Sequence, residues 1–370
     1  MTPAADYMRR CFDLARQALP HARPNPAVGC VLVRDGSIVG EGFTQVPGQA
    51  HAEVEALRTA GDRARGATAY VSLEPCAHHG RTGPCANALI DAGVARVVYA
   101  LEDPNPLVKG KGLALLREAG LVVEGPLLAD EAESINRGFM KRMRSGLPFV
   151  RLKLAMSLDG RSAMASGESK WITSDEARRD VHELRASSCA VLSGGGTVRK
   201  DDPQLNVRLP GYAGAQPLRV VADSQLRMPA SAQLLRLPGS VLVATAKDDA
   251  QHADLLRAAA RDHCDLEIRN FAGVDGRVDL RALLRFLAMG KQCNDVFVET
   301  GGMLAGAFMR AALVDELILY VAPRLLGSDA QALLDLPGIR TLAEGIQLEF
   351  LDVAMVGKDC RMRLRVLPAV

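Results

Sequence analysis

Two short stretches restrict the folding of this chain more than any others. The first, His51-Ala52-Glu53, sets one imidazole and one carboxylate two residues apart. The second runs from Pro75 to Cys85 (P-C-A-H-H-G-R-T-G-P-C) and carries two thiols, Cys76 and Cys85, separated by eight residues. One histidine and two cysteines make the three-ligand set that catalytic zinc uses, with the fourth position kept for water. Glu53 is then free to move protons, as in the zinc deaminases, whose glutamate is not a ligand. The cysteines there are usually two residues apart, so the longer loop here departs from the pattern.

Each signal is weak alone. A His-x-Glu at a helix start is mostly incidental, and a pair of free cysteines is commonly core packing. Their order on alternating strands and helices favours zinc. His78 and His79 are rival ligands in the loop, although a loop between two ligand cysteines is also well placed to touch substrate. Zinc lowers the pKa of bound water and makes hydroxide available near neutral pH. Glu53 would take the water's proton, pass it to a ring nitrogen and help ammonia leave. The expected substrate is an aromatic ring with an exocyclic amine.

The flanking pattern predicts a helix over 4–19, a hairpin of strands 27–33 and 38–43 around Asp35-Gly36, and a helix from His51 to Ala60 closed by Gly61. Strands over 67–73, 95–101 and 121–124 alternate with helices starting at Gly83-Pro84-Cys85 and over 111–119. This is an α/β sandwich with helices on a mixed sheet. Both zinc stretches fall at helix starts, where the partial positive charge favours the thiolate. Residues 125–146 read as a helix linking two domains. Its basic residues Lys141, Arg142 and Arg144 read as a solvated end, with phosphate contact as the minority alternative.

A chain of 370 residues exceeds one ordinary core, so two domains are expected, 1–146 and 147–370. A net charge of +2 gives no basic field for nucleic acid or an anionic membrane. Aromatic content of 4%, with Trp171 the one tryptophan, argues against stacking platforms for single strands. The start, M-T-P-A-A-D-Y-M-R-R, lacks a signal peptide's apolar core, and no apolar run reaches membrane-spanning length. The eight scattered cysteines suggest no disulfide framework. The expectation is a cytoplasmic protein with no nucleic-acid and no membrane partner.

The second half opens with a strand over 148–157 and a turn at Ser157-Leu158-Asp159-Gly160. A polar loop holding Trp171 leads to Thr173-Ser174-Asp175-Glu176, which reads as a capping box for the helix through His182 to Arg185. A buried strand over 189–192 runs into Ser193-Gly194-Gly195-Gly196-Thr197, and a polar loop spans 201–208. Strands follow over 218–223, 240–244, 265–268, 296–299, 317–321, 348–356 and 360–366, with helices near 248–261, 278–289 and 301–312. The strand over 296–299 enters a glycine turn, Gly301-Gly302-Met303-Leu304-Ala305-Gly306-Ala307, that opens a helix and could hold a phosphate. It lacks G-x-G-x-x-G spacing and comes late, so it is not a Rossmann first unit, and a tight structural turn is an equal reading. Arg185 and Arg208 are mobile surface residues by default, with anion binding the alternative.

The sequence closely resembles the bifunctional riboflavin-biosynthesis deaminase–reductase family across nearly its whole length. In the first half the resemblance rests on residues 25–33 (NPAVGCVLV), 50–53 (AHAE), 73–85 (LEPCAHHGRTGPC) and 103–106 (DPNP). In the second it rests on residues 151–163, 166–173 (SGESKWIT), 197–208 (TVRKDDPQLNVR), 220–224 and 298–307 (VETGGMLAGA). The long cysteine loop is specific to this family among zinc deaminases.

The resemblance implies a cytidine-deaminase-like α/β/α sandwich followed by a dihydrofolate-reductase-like α/β domain. It implies hydrolytic deamination of 2,5-diamino-6-(5-phosphoribosylamino)pyrimidin-4-one, then reduction of the product's ribosyl group to ribityl with NADPH. It carries Zn2+ onto His51, Cys76 and Cys85, with Glu53 catalytic. NADPH would meet Ala155, Trp171, Thr197, Asp201, Ser224 and residues Gly301, Gly302, Met303, Leu304, Ala305, Gly306 and Ala307. The phosphorylated substrate would meet Ser169, Arg185, Leu205, Arg208 and Glu299, with Lys153 close by. A homo-oligomer, dimer or tetramer, is expected. Thr44 stands where family members often place a histidine, Gly194-Gly195-Gly196 is more glycine-rich than usual, and Gly302-Met303 varies the turn. Two other readings compete. One is a zinc deaminase of a nucleoside or RNA base with a binding module attached, and the other is a scaffold around a structural zinc. Near-neutral charge speaks against RNA, and Glu53 would be idle in a scaffold.

Overall fold

In this computed structural model, residues 3–77 and 83–368 are described. The chain divides into two compact units, Met1–Leu147 and Pro148–Val370. In the first, α1 (Pro3–Ala18) precedes the hairpin β1 (Gly29–Arg34) and β2 (Ser37–Phe43). Asp35 and Gly36 take φ of 52° and 74°, as a two-residue hairpin turn requires. There follow α2 (Ala52–Ala60), β3 (Thr68–Val71), α3 (Cys85–Asp91), β4 (Arg96–Tyr99), α4 (Lys111–Glu118), β5 (Val122–Glu124) and α5 (Ala129–Ser145). The sheet order is β2-β1-β3-β4-β5. β1 is antiparallel to both neighbours, and β3, β4 and β5 are parallel.

The close seat of α2 on β2 depends on missing side chains. A β-carbon on Gly42 would lie 2.4 Å from the Ala52 carbonyl oxygen. Ala52, Ala56 and Ala60, small and spaced four apart, are buried against the sheet. That fixes the start of α2, and with it His51 and Glu53.

Residues 125–146 differ from the expected linking helix. The helix begins only at Ala129, after Leu128 in a left-handed conformation (φ 58°). It belongs to the first unit, where Ala132, Phe139 and Met140 are buried in core clusters. Asn136 exchanges 2.8 Å hydrogen bonds with the N–H and carbonyl of Ala27. The basic end is not wholly solvated either. Arg142 is buried, donates to the Pro24 carbonyl at 3.1 Å and lies over the Phe139 ring. Arg144 pairs with Glu133 at 3.0 Å.

The second unit contains β6 (Phe149–Ser157), β7 (Arg161–Ala163), α6 (Asp175–Ala186), β8 (Ala190–Gly194), α7 (Gly195–Asp201), β9 (Leu218–Ala222) and β10 (Ser240–Thr245). It continues with α8 (Ala250–Ala260), β11 (Asp265–Asn270), α9 (Leu280–Met289), β12 (Asp295–Glu299), α10 (Gly302–Arg310), β13 (Glu316–Ala322), β14 (Gln331–Ala332), β15 (Leu348–Val356) and β16 (Asp359–Val366). Nine strands form one sheet in the order β11-β10-β9-β8-β12-β6-β13-β16-β15, and β14 pairs with β7. All pairings in the large sheet are parallel except β13–β16 and β16–β15.

Two local readings change. The cap of α6 is Ser174, whose hydroxyl accepts from the Ala177 N–H at 3.2 Å. A box on Thr173 and Glu176 would need the helix to start one residue earlier. The run Gly194-Gly195-Gly196 is not a separate turn: Gly194 ends β8 and Gly195 already begins the short helix α7.

Candidate active sites

The zinc stretches meet at two helix starts. His51 is the N-cap of α2, and Cys85 is the first residue of α3, behind Pro84 as N-cap. His51 Nδ1 lies 3.3 Å from Cys85 Sγ and 3.6 Å from Cys76 Sγ. The three ligand atoms all fall within 4.8 Å of one another. Bonds of about 2.0–2.1 Å to nitrogen and 2.3 Å to sulfur, in a tetrahedron, put such atoms about 3.6 Å apart. Donor types and spacing therefore fit a zinc ion. His78 and His79 lie outside the described residues.

The electrostatics match the chemistry. A hydrogen bond from Cys85, helped by His51, holds the Cys76 thiol down to about 4. Burial, reinforced by the charge of Cys76, raises the Glu53 carboxyl to about 7. Thr44 is buried and already engaged, since its hydroxyl accepts from the Val28 N–H at 3.0 Å.

Glu74 braces the wall beside Cys76, a role that the sequence reading did not assign. Its buried carboxylate accepts N–H bonds from Asp103, Gly110, Gly112 and Leu113 at 3.0–3.4 Å. Gly112 packs so tightly that a β-carbon there would stand 1.8 Å from the Pro75 carbonyl oxygen. Burial raises neighbouring Asp103 to about 6. A glutamate at a buried strand end, directly before Pro-Cys, was the available signal.

The second unit holds a cleft of about 1570 Å³ at the carboxyl ends of β8, β9 and β12. Ligands of α/β sheets bind there, where the strand order reverses. Common small-molecule pockets are about 300–1,000 Å³, so this volume suits a cofactor with a substrate. Lys153 and Ala155 of β6 line it, as do Ser169 and Trp171 from the following loop, Arg185 of α6, and Thr197 and Asp201 of α7. Leu205, Arg208, Ser224, Glu299, Gly301, Gly302, Met303, Leu304 and Ala307 line it too. Ala305 and Gly306 do not. Ala305 is buried, and Gly306 packs on the Asp335 carbonyl, because consecutive helical residues cannot all face one side. A β-carbon on Gly196 or Gly301 would meet nothing within 4 Å, so bare backbone faces the cleft there, as a dinucleotide phosphate requires.

Arg185 is no mobile surface residue. It grips Glu299 with two hydrogen bonds, of 2.5 and 3.0 Å, and donates to the Asn206 carbonyl at 3.0 Å. Burial pushes the Glu299 carboxyl up, but Arg185 and Lys153 outweigh it and hold the group below its ordinary value. Burial lowers the Lys153 amine. His182, one turn before Arg185, accepts the Arg208 N–H at 3.3 Å. Burial, with Arg185 and Arg208 adding, drops its imidazole to about 4.

Among the described residues no helix is long and apolar enough to cross a membrane. Residues 1–101 match the family profile of the cytidine and deoxycytidylate deaminase zinc-binding region, and residues 148–361 match the RibD C-terminal domain. The riboflavin biosynthesis protein RibD of Escherichia coli K12 is 48% identical, with 97% of this chain and 98% of that protein covered. Its Haemophilus influenzae counterpart is 47% identical over 96% and 95%. The solved structure of Acinetobacter baumannii RibD, form 1, superposes with a TM-score of 0.89 at 46% identity, covering 99% of each chain. That of the Thermotoga maritima diaminohydroxyphosphoribosylaminopyrimidine deaminase/5-amino-6-(5-phosphoribosylamino)uracil reductase gives 0.83 at 30% identity over 99% of each. With two catalytic-type sites in two units and full-length kinship of this degree, the chain belongs to the RibD family of bifunctional riboflavin-biosynthesis deaminase–reductases.

Proposed function

We propose that the first unit deaminates 2,5-diamino-6-(5-phosphoribosylamino)pyrimidin-4-one to the uracil, and that the second reduces the ribosyl group of that product to ribityl with NADPH. The observation that carries the deaminase half is the His51–Cys76–Cys85 triangle beside buried Glu53. Those three residues would hold zinc, which supplies acidified water. Glu53, raised to about 7, is poised to accept a proton from the attacking water and to return it to the ring nitrogen and the departing amine. Net, water replaces ammonia on the ring.

NADPH would lie along Ala155, Trp171, Thr197, Asp201, Ser224 and the Gly301–Leu304 turn, supplying a hydride. Ser169, Leu205 and the Arg185–Glu299 pair would meet the substrate, with Lys153 and Arg208 adding positive charge for its phosphate. The reading places the enzyme in the cytoplasm as a homo-oligomer. In support of oligomerisation, Leu348, Phe350, Val353 and Met355 of the edge strand β15 share one face and are all exposed.

The test follows both half-reactions on one purified sample with its metal content measured. Ammonia release from the diaminopyrimidine, followed by product-dependent NADPH oxidation, is expected. Ammonia release without NADPH oxidation would overturn the reductase half. Turnover of cytidine or an RNA base in place of the pyrimidine would overturn the substrate.

A further inference from the structure

The loop between β7 and α6 carries the chain's one tryptophan, Trp171, to the cleft of the second unit. The loop is fastened at several points. The Met164 N–H donates to the Glu168 carbonyl at 2.8 Å and closes its first turn. Lys170 Nζ donates to the Asp201 carbonyl of α7 at 3.2 Å, and Arg324 Nη1 donates to the Trp171 carbonyl at 3.3 Å. Ile172 is buried, and the Ser174 N–H donates to buried Asp359 at 2.7 Å. The backbone around Trp171 is therefore fixed, while Trp171 itself is 62% exposed at the rim. A large apolar ring in that position gains contact only when a ligand covers it.

One side chain orients the ring. The Arg178 guanidinium, one turn into α6, lies over the indole at 4.4 Å from its centroid. Within about 6 Å a cation is attracted to the negative face of an aromatic ring, and tryptophan attracts it most. The guanidinium is oriented in turn, because Nη1 donates to the Thr173 carbonyl at 2.9 Å and Nη2 pairs with Asp175. A planar fork of donors can stack and hydrogen-bond at once, which a point-like ammonium does less well. Among the described residues no other ring or cation stacks on the indole. Arg178 covers one face, and the other is left to the cleft that both residues line.

We propose that Arg178 is a positioning residue for the cofactor: seated on one face of Trp171, it holds the indole so that the other face stacks on a planar ring of NADPH. This rests on the NADPH reading above. Adenine and nicotinamide share the chemistry that such a face recognises, and the substrate's pyrimidine is the rival; the experiment separates the three.

In the full-length enzyme, Arg178→Gln removes the cation and keeps a donor for the Thr173 carbonyl. The KM for NADPH should rise about two- to fivefold with kcat little changed, and Arg178→Lys should recover part of the loss. In a Trp171→Leu background, which raises that KM by itself, Arg178→Gln should add nothing, because residues that act through one contact are not additive. The KM for the uracil substrate should not follow. With a single tryptophan, fluorescence reads the ring directly. Without cofactor, acrylamide should quench it more in Arg178→Gln than in wild type, and less again in Arg178→Lys. Calorimetric titration with 5′-AMP and with reduced nicotinamide mononucleotide identifies the stacked ring as the one whose fragment binds more weakly to Arg178→Gln.

An unchanged KM for NADPH in Arg178→Gln, or neither fragment weakened, would overturn the proposal while leaving the reductase function standing. So would an undiminished effect of Arg178→Gln in the Trp171→Leu background, which would put Arg178 itself on the ligand. A rise confined to the uracil substrate's KM would assign the indole to the pyrimidine and overturn it as well. Failure of wild type to oxidise NADPH would instead strike the reductase reading itself.

Discussion

The two sites are built on opposite principles. The His51–Cys76–Cys85 triangle proposed for zinc draws its donors from two short stretches, each pinned at a helix start, and Glu53 is buried beside them. The cleft of the second unit is wide and gathers side chains from strands, helices and loops spread between Lys153 and Asp335. In the first, chemistry resides in a few side chains whose loss is absolute. In the second, binding is shared, and much of the surface is glycine backbone. A metal site needs three atoms within a fraction of an ångström, whereas a cofactor cleft needs complementary area.

Substitution tests this contrast, beginning with its most severe consequence. Cys76→Ser or His51→Ala should abolish both bound zinc and deamination while the reductase stays largely active. Loss of both activities in a folded variant, checked by metal analysis and circular dichroism, would refute independent sites. Glu53→Gln should keep zinc and slow deamination about 10²–10⁴-fold, the span of general acid–base catalysis. Retained zinc with full activity would remove Glu53 from the reaction.

In the second unit, Glu299→Ala leaves the partly buried cations Arg185 and Lys153 without their counterion, which should cost up to about 3–5 kcal/mol. Urea unfolding of the full chain reads this as an earlier transition of that unit, with the zinc unit unmoved. The smallest effect concerns His182. Its folded pKa of about 4 lies below the unfolded 6.5, so between those values the unfolded chain holds the extra proton. Stability should therefore fall as pH drops from 6.5 to 4, and the contribution is fully lost below about 4. His182→Asn should flatten that slope in pH-dependent melts; an unaltered slope would assign it to other groups.

The contrast also explains what was legible. The hairpin at Asp35-Gly36, α2 closing at Gly61, and the β/α alternation are local signals, because turn geometry and periodicity act over a few residues. The helix over 129–145 was visible, but its membership was not. Burial of Phe139 and the bonds of Asn136 to Ala27 are long-range events with no local trace. The capping register at Ser174 turned on a single residue, and α7, seven residues long with three glycines around its start, left no helical pattern to read.

By itself the sequence determined which groups can do chemistry here. A histidine and two cysteines supply zinc-type donors, with a glutamate left over to move protons, because ligand preference is a property of the atoms. Only the tertiary structure decided their condition and company. Burial raised Glu53, hydrogen bonding lowered Cys76, Arg185 was withdrawn from the surface to hold Glu299, and Asp223 was turned inward onto the Arg227 and Met228 N–H groups. Those outcomes depend on solvent exclusion and on neighbours distant in the chain, and the energy of a charge is set by its surroundings.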